Sequence, residues 1–195
     1  MPTKVAIIIP HYNGQKLLED CLPSLFRTGY SDYTVYLVDN ASTDGSPEWA
    51  KVHYPQIQII KSDKNLGYAG GCNLGIRSTA EEYVVLLNND TEVKPDWLDK
   101  LVLELDRDGA IAAAQPKILW LKDRTQFDYS GGAGGLMDVF GYPYCRGRMF
   151  EEKEKDLGQY DHRSSDIFWA SGSASIYRRS ALNSSGLLDE DFFMH

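Results

Sequence analysis

Apolar residues in this chain gather into short unbroken runs, separated by stretches in which they recur every three or four positions. The runs at 5–9, 34–38, 57–60 and 83–87 predict strands of a parallel sheet, the one at 83–87 buried on both faces, because a half-exposed strand would alternate apolar with polar, and the short one at 57–60 near the sheet edge. Leu17, Leu18, Cys21, Leu22, Leu25 and Phe26 fall on one stripe of an amphipathic helix, and Trp97, Leu98, Leu101, Val102 and Leu105 do the same after Lys94-Pro95-Asp96. Pro23 interrupts the first of these helices, at a cost of ~3 kcal/mol unless the helix kinks or restarts there. Ser46-Pro47-Glu48-Trp49 predicts another helix start, with Ser46 at the cap and Pro47 in the first turn. Pro10, which has no N–H to give a ladder, is expected to stop the first strand. Residues 111–115, closed by Pro116, are expected to form a fifth. The fold class that follows is α/β, a doubly wound and mostly parallel sheet with right-handed crossovers.

Two stretches depart from that rhythm. Gly67, Gly70, Gly71 and Gly75 place four glycines in nine residues at the start of a predicted helix. Each costs roughly 1 kcal/mol relative to Ala unless the backbone must lie close to a ligand or to the sheet. From 126 to 163, the glycines at 131–135 and the charged tract at 151–156 read as long loops. Residues 166–177 then read as strand, small-residue bend and strand, and a short helix opens near Arg178.

At 195 residues, with 43% hydrophobic and 25% charged content, the chain suits one full-sized globular core rather than two. A formal charge of -8 without any run of Lys or Arg argues against a nucleic-acid partner, whose phosphates demand a basic face. A single nucleotide is not excluded, since a metal and backbone N–H groups can hold an anion. Cys21, Cys72 and Cys145 are odd in number and form no CxxC pair, which predicts a reducing, cytoplasmic setting. Cys21 lies on the apolar helix stripe and is expected in the core. No segment approaches the ~20 apolar residues needed to span a bilayer.

The candidate chemistry sits where the strands end. The run ending at Leu87 switches within one residue to Asn88-Asn89-Asp90, at the carboxyl end of a strand, where open α/β sheets bind ligands. Asp90 there is suited to Mg²⁺ or Mn²⁺, with a bound diphosphate completing the shell. The tripeptide alone fits a simple turn equally well. Two other strands also end in polar residues, Pro10-His11-Tyr12-Asn13 and Asp39-Asn40, and parallel neighbours would bring all three ends into one crevice. Such a set favours a ligand with many hydrogen bonds, such as a nucleotide. Asp39, which only accepts, suits a base N–H or a ribose hydroxyl, and Tyr12 suits stacking on the base.

Five motifs in order, at 38–46, 65–73, 87–90, 169–172 and 186–193, resemble family 2 glycosyltransferases of the GT-A fold, most closely the rhamnosyltransferase-like members that build bacterial surface polysaccharides. The resemblance covers essentially the whole chain. It implies one GT-A domain over 1–195, with a nucleotide-binding half at 1–118 and an incomplete acceptor-side half at 119–195 containing a small mixed β part. It places Pro10, Tyr12, Asn13, Asp39 and Asn40 against base and ribose, Asn65, Gly67 and Asn73 on the next nucleotide-side loop, Asn89 beside them, and Asp90 as the metal ligand. The family's DxD motif has only its last carboxylate here. Trp169 to Ser173 would line the space between donor and acceptor.

The implied reaction is an inverting transfer from a UDP- or dTDP-sugar to a saccharide or lipid-linked saccharide, in the cytoplasm or at the inner face of a membrane, with peripheral membrane association compatible with such an acceptor. In relatives an acidic pair following this segment is the expected base. This sequence stops at His195 before reaching it, so the expectation is a chain truncated at its C-terminus, with Asp191 the nearest candidate and His195 a further possible contact. The rival readings are a nucleotidyltransferase, disfavoured because no Gly-rich basic loop follows the first strand, and a non-catalytic sugar-nucleotide or carbohydrate-binding fragment.

Overall fold

The computed structural model describes residues 4–129, 131–149, 152–161 and 164–193. The elements in order are β1 (Val5–His11), α1 (Gln15–Leu25), β2 (Tyr33–Asp39), α2 (Ser46–His53), β3 (Gln58–Lys61), α3 (Gly67–Arg77), β4 (Tyr83–Leu87), α4 (Trp97–Arg107), β5 (Ala113–Ala114), β6 (Leu119–Trp120), β7 (Asp123–Phe127), β8 (Gly135–Met137), β9 (Pro143–Cys145), β10 (Arg148–Met149), β11 (Glu152–Lys153), β12 (Ala174–Arg178) and α5 (Arg179–Ser185).

The main sheet runs β3-β2-β1-β4-β12-β5. Its first four strands are parallel, and β12 lies antiparallel between β4 and β5. The expected strand at 111–115 is therefore shorter than predicted and does not extend the parallel ladder, because the late strand β12 takes the place beside β4.

Alternation along the strands sorts the core into two layers. Val5, Ile7 and Ile9 of β1 and Val85 and Leu87 of β4 pack with Leu18 and Leu22 of α1 and Leu98 and Leu105 of α4. Ile8, Val84 and Leu86 face the other way, against Cys72 and Ile76 of α3 and Leu182 of α5. Each such side chain contributes about 1.5–3 kcal/mol when fully buried. The glycines of α3 serve this second layer. A Cβ on Gly75 would stand 2.5 Å from Ile8 Cγ2 and 3.0 Å from Val38 Cγ2, so the helix lies against the sheet at a distance only glycine permits.

Four further expectations are corrected. β1 continues through Pro10 to His11, pairing with β2 as Pro10↔Val38 and His11↔Asp39, whereas its pairing with β4 ends at Ile8↔Leu86. Pro10 thus sits where the strand has one neighbour, and a missing donor is tolerated as at a sheet edge. Ser46 is the first residue of α2 rather than its cap; Gly45 takes the cap position at φ 76°. The stretch expected as long loops folds, where it is described, into the antiparallel sheet β11-β10-β9-β8, and the hairpin β6–β7 precedes it; local apolar pattern announces neither, because their strands are two to five residues long. Residues 166–170 form no strand, only a bridge between Trp169 and Gly135.

Candidate functional site

The parallel register carries three strand ends to one level. His11 pairs with Asp39 across β1 and β2. Continuing the β1–β4 register past Ile8↔Leu86 sets His11 opposite Asn89, and the Asn89 amide nitrogen lies 2.8 Å from His11 Nδ1. Tyr12 and Asp90 each follow by one residue, so both emerge from this edge, Tyr12 49% exposed and Asp90 also exposed. Asp39 is buried to 5% exposure, with Oδ1 accepting the Ser42 N–H at 2.8 Å. The register thus sets the strand ends that carry Tyr12, Asp39 and Asp90 at one level of the sheet.

Beneath this edge runs a polar chain that the motifs do not assign. Asp44 accepts the Ser46 hydroxyl proton, so Ser46 Oγ must accept from His11 Nε2 at 2.7 Å. That assignment puts the His11 proton on Nε2 and leaves Nδ1 to accept from Asn89. Burial lowers the His11 pKa despite the carboxylates of Asp44 and Asp39, so the ring is neutral. For Asp44, burial pulls upward, but the donors of Ser46, Gly14 and Gln15 outweigh it and hold the carboxyl at about 2. The signal for this chain was present in the sequence as Asp44 and Ser46 inside the motif at 38–46.

The loops above are tied to one another. Asn13, at φ 53°, accepts the Thr43 N–H through its side chain at 2.8 Å, and its own N–H donates to Ser42 Oγ. Ala41 adopts φ 64°, a strained value for a residue with a Cβ, and Asn40 N–H donates to His11 O. The Asn40 side chain donates to Gly67 O at 3.1 Å and covers Gly71, while its Oδ1 is buried without a partner among the described residues. Pro10 is buried in β1 and shapes the edge through its backbone.

Asn65, Gly67 and Asn73 are turned to a different task. Asn65 Oδ1 accepts the Gly67 N–H, and the next donor of α3, Tyr68 N–H, goes to Phe193 O at 2.8 Å. Asn73 is buried, and its side chain donates to Leu188 O and Glu190 Oε1 and accepts from Leu188 N–H. Arg77 adds an ion pair to Glu190 at 3.0 Å. These residues hold the C-terminal segment 186–193 against α3. The α3 amino terminus therefore spends its first donors within the protein.

Around Asp90, Thr91 Oγ1 donates to Asn88 O at 2.8 Å, and Cys21 Sγ backs both at 3.9 Å, with burial pushing that thiol up to about 11. Glu92 is clamped by Arg124 of β7. The segment 171–173 meets this strand end through Asn88 N–H, which donates to Ser173 O, while Gly172 O accepts from Tyr68 OH at 2.6 Å and Ser171 N–H donates to Gln115 Oε1. Trp169 packs its indole on Gly135 and donates to Leu136 O. A concavity of about 1050 Å³ lies beside α4 and 164–170, and it is lined by none of Tyr12, Asp39 or Asp90 at the strand-end crest.

Among the described residues no three His, Cys, Asp or Glu side chains gather as a metal cluster. Asp90 nonetheless fits a Mg²⁺ or Mn²⁺ ion that arrives with its substrate, because such ions are held by one or two carboxylates plus phosphate and water oxygens, and its carboxylate carries no hydrogen bond or ion pair to a described residue. Asp191 is exposed at the chain's acidic end, with its N–H bonded to Asp189 Oδ1. His195 lies outside the described residues. No helix among the described residues is long and apolar enough to cross a membrane.

Comparison with known proteins agrees with this architecture. The chain is 27% identical to the N-acetylglucosaminyl-diphospho-decaprenol L-rhamnosyltransferase of Mycobacterium tuberculosis, over all of this chain and 68% of that protein. It is 30% identical to the O-antigen biosynthesis protein RfbC of Myxococcus xanthus, over 73% of this chain and 11% of that one. Among solved structures it superimposes on the mannosyltransferase of Pyrobaculum calidifontis in complex with GDP-Man and Mn²⁺ with a TM-score of 0.66 at 21% identity, covering 98% of this chain. It superimposes on TarS 1–349 of S. aureus in complex with UDP with a TM-score of 0.65 at 20% identity, covering 97% of this chain. The chain spans about half the length of those two structures, 49% and 51%, and they share with it the GT-A fold. The description Glycosyl transferase family 2 matches residues 6–186, and the chain belongs to that family.

Proposed function

We propose that this chain is the donor-binding and catalytic part of an inverting, metal-dependent glycosyltransferase. It transfers a sugar from a UDP- or dTDP-sugar to a saccharide or lipid-linked saccharide in surface polysaccharide synthesis, at the cytoplasmic face of a membrane. Residues 1–118 form its nucleotide-binding half and 119–195 its acceptor-side half. The observation that carries the reading is the level at which His11, Asp39 and Asn89 meet, since it aligns the exposed Tyr12 and Asp90 with Asp39. The mycobacterial relative's name supports a lipid-linked acceptor, and the Myxococcus relative's name supports a polysaccharide product.

In this reading Tyr12 stacks on the base, and Asp39 accepts from a base N–H or ribose hydroxyl. Pro10, Asn13 and Asn40 shape the loops around the nucleoside. Asn65, Gly67 and Asn73 act one step removed, by docking the C-terminal segment on α3 beside Asn40. Asn89 offers its remaining amide capacity to the diphosphate, and Asp90 holds Mg²⁺ or Mn²⁺. A bound ion of this kind offsets the charge that develops on the departing diphosphate.

Asp191 takes the proton of the acceptor hydroxyl as that oxygen forms its bond to the anomeric carbon, opposite the breaking bond to the diphosphate. Of the three acids at 189–191 it is the one left uncommitted among the described residues, since Asp189 caps the turn and Glu190 serves Asn73 and Arg77. Calorimetric titration with UDP and dTDP, each with and without Mn²⁺, tests the assignment. Binding that needs the ion is expected; no binding of either nucleotide under any condition would sink it.

A further inference from the structure

The small β sheet of the acceptor-side half ends in a tip whose apolar side chains stand exposed. Between β8 and β9, Val139, Phe140 and Tyr142 are 94%, 82% and 72% exposed. We propose that this tip is a membrane-docking loop that inserts Val139, Phe140 and Tyr142 into the headgroup region of a lipid bilayer.

The backbone of the turn is prepared for such a medium. A loop leaving bulk water for the bilayer interface loses less when its backbone N–H groups already meet acceptors within the turn. Asp138, at the base of the turn, accepts the N–H groups of Phe140 and Tyr142 through Oδ1 at 2.9 Å each. Its carbonyl accepts the Gly141 N–H at 3.1 Å, and its own N–H donates to Tyr142 O at 3.0 Å. Gly141 makes the turn possible at φ 85°. The turn thus meets these donors itself while leaving its apolar side chains outward. Behind the tip, Tyr144 and Met149 are also exposed, and aromatic residues of this kind settle at the level where chain and headgroup meet.

A second copy of the chain is a poorer occupant. With aromatic side chains offering ~150–250 Å² each, the tip presents roughly 500 Å², below the ~800 Å² per partner of a stable interface. A protruding point also suits a soft surface better than a flat rigid one. The hairpin is joined to the site through Gly135, on which the Trp169 indole packs, so docking would set the acceptor side of the crest close to the bilayer. The inference rests on the lipid-linked acceptor of the proposed function.

Flotation with phosphatidylcholine vesicles tests it. The chain is expected to float with vesicles and to do so still in about 1 M salt, where the Debye length is ~3 Å and charge attraction is gone. Phe140→Trp should retain binding and shift its emission to the blue, with quenching by brominated acyl chains. Phe140→Glu should cut the bound fraction roughly tenfold or more, whereas Leu157→Glu, at a position 85% exposed elsewhere, should not change it. No flotation of the unmodified chain, equal flotation of Phe140→Glu, or loss of binding in high salt overturns the proposal. So does a dimer in sedimentation that Phe140→Glu abolishes. Nucleotide titration of Phe140→Glu separates the two readings: it should match the unmodified chain, and a chain that floats yet binds no nucleotide sinks the proposed function alone.

Discussion

Asn89 and His11, which stand 78 positions apart in the sequence, meet at 2.8 Å where the fourth and first strands end. The contact is directional. Ser46 gives its only proton to Asp44, His11 gives its Nε2 proton to Ser46, and Asn89 is left as the donor at Nδ1. A buried chain of this kind fixes which way the Asn89 amide faces, next to the carboxylate expected to hold a metal.

Acid should therefore weaken the protein through His11. Its folded pKa lies below the ordinary 6.5, so below that value the unfolded chain binds more protons than the folded one. Stability is complete above about pH 6.5 and falls as the pH drops from there through the folded pKa. Asp44 adds nothing to this slope, because its contribution is lost only between the ordinary carboxyl value of 3.8 and about 2. Urea midpoints between about pH 7.5 and about pH 5 should decline in the unmodified chain and flatten in His11→Gln. Equal slopes would mean that His11 is not the group titrating.

Replacing Asp90 should separate binding from folding. The side chain is exposed and carries no partner among the described residues, so Asp90→Ala is expected to change stability by no more than about 0.5 kcal/mol. A charge-assisted contact contributes ~1.5–3 kcal/mol, so nucleotide affinity in Mn²⁺ should fall roughly 10- to 100-fold. Affinity without the ion should hardly change. A variant that bound as tightly as before in Mn²⁺ would remove Asp90 from the metal role.

Much of this was legible in the sequence because buried parallel strands write themselves as unbroken apolar runs. Tyr83–Leu87 is buried at every position, and the polar residues that follow it fall at the crest. Partners distant in sequence were not legible. Nothing local marks β12 for a place between β4 and β5, nor tells that Asn73 spends its amide on Leu188 and Glu190. The family resemblance placed Asn73 on the nucleotide side; tertiary packing gave it a neighbouring duty. The two-residue strands β10 and β11 depend on pairing rather than on any pattern of their own.

The docked C-terminal segment should be released by a single methyl group. At Gly67 the backbone has φ 71°, and a Cβ would strike the carbonyl and ring of Phe193. Gly67→Ala carries both penalties, whereas Asn73→Leu removes only the side-chain bonds to 188–190. Hydrogen exchange over 186–193 should rise in both variants, while exchange in β1 and β4 stays slow. Protection that persisted at 186–193 would show that this segment is held by something other than α3.

Gly71 and Gly75 lie one turn apart on α3, yet their substitution should be felt in different places. At Gly75 an added Cβ meets the branched side chains of Ile8 and Val38, which are packed in the core and cannot withdraw. Overpacking of that sort costs ~1–3 kcal/mol, and the ~1 kcal/mol gained by replacing glycine in a helix offsets only part of it. Gly75→Ala should therefore lower stability by up to about 2 kcal/mol and leave nucleotide affinity near that of the unmodified chain. At Gly71 the obstacle is the Asn40 amide, 2.6 Å away, a side chain able to swing but only by giving up its bond to Gly67 O. Because Asn40 follows Asp39 directly and its N–H is bonded to His11 O, movement there reaches the nucleoside end of the crest. Gly71→Ala should weaken Mn²⁺-dependent nucleotide binding more than it lowers the urea midpoint. The reverse ranking of the two variants would place the nucleoside away from Asn40 and break the link between α3 packing and the site.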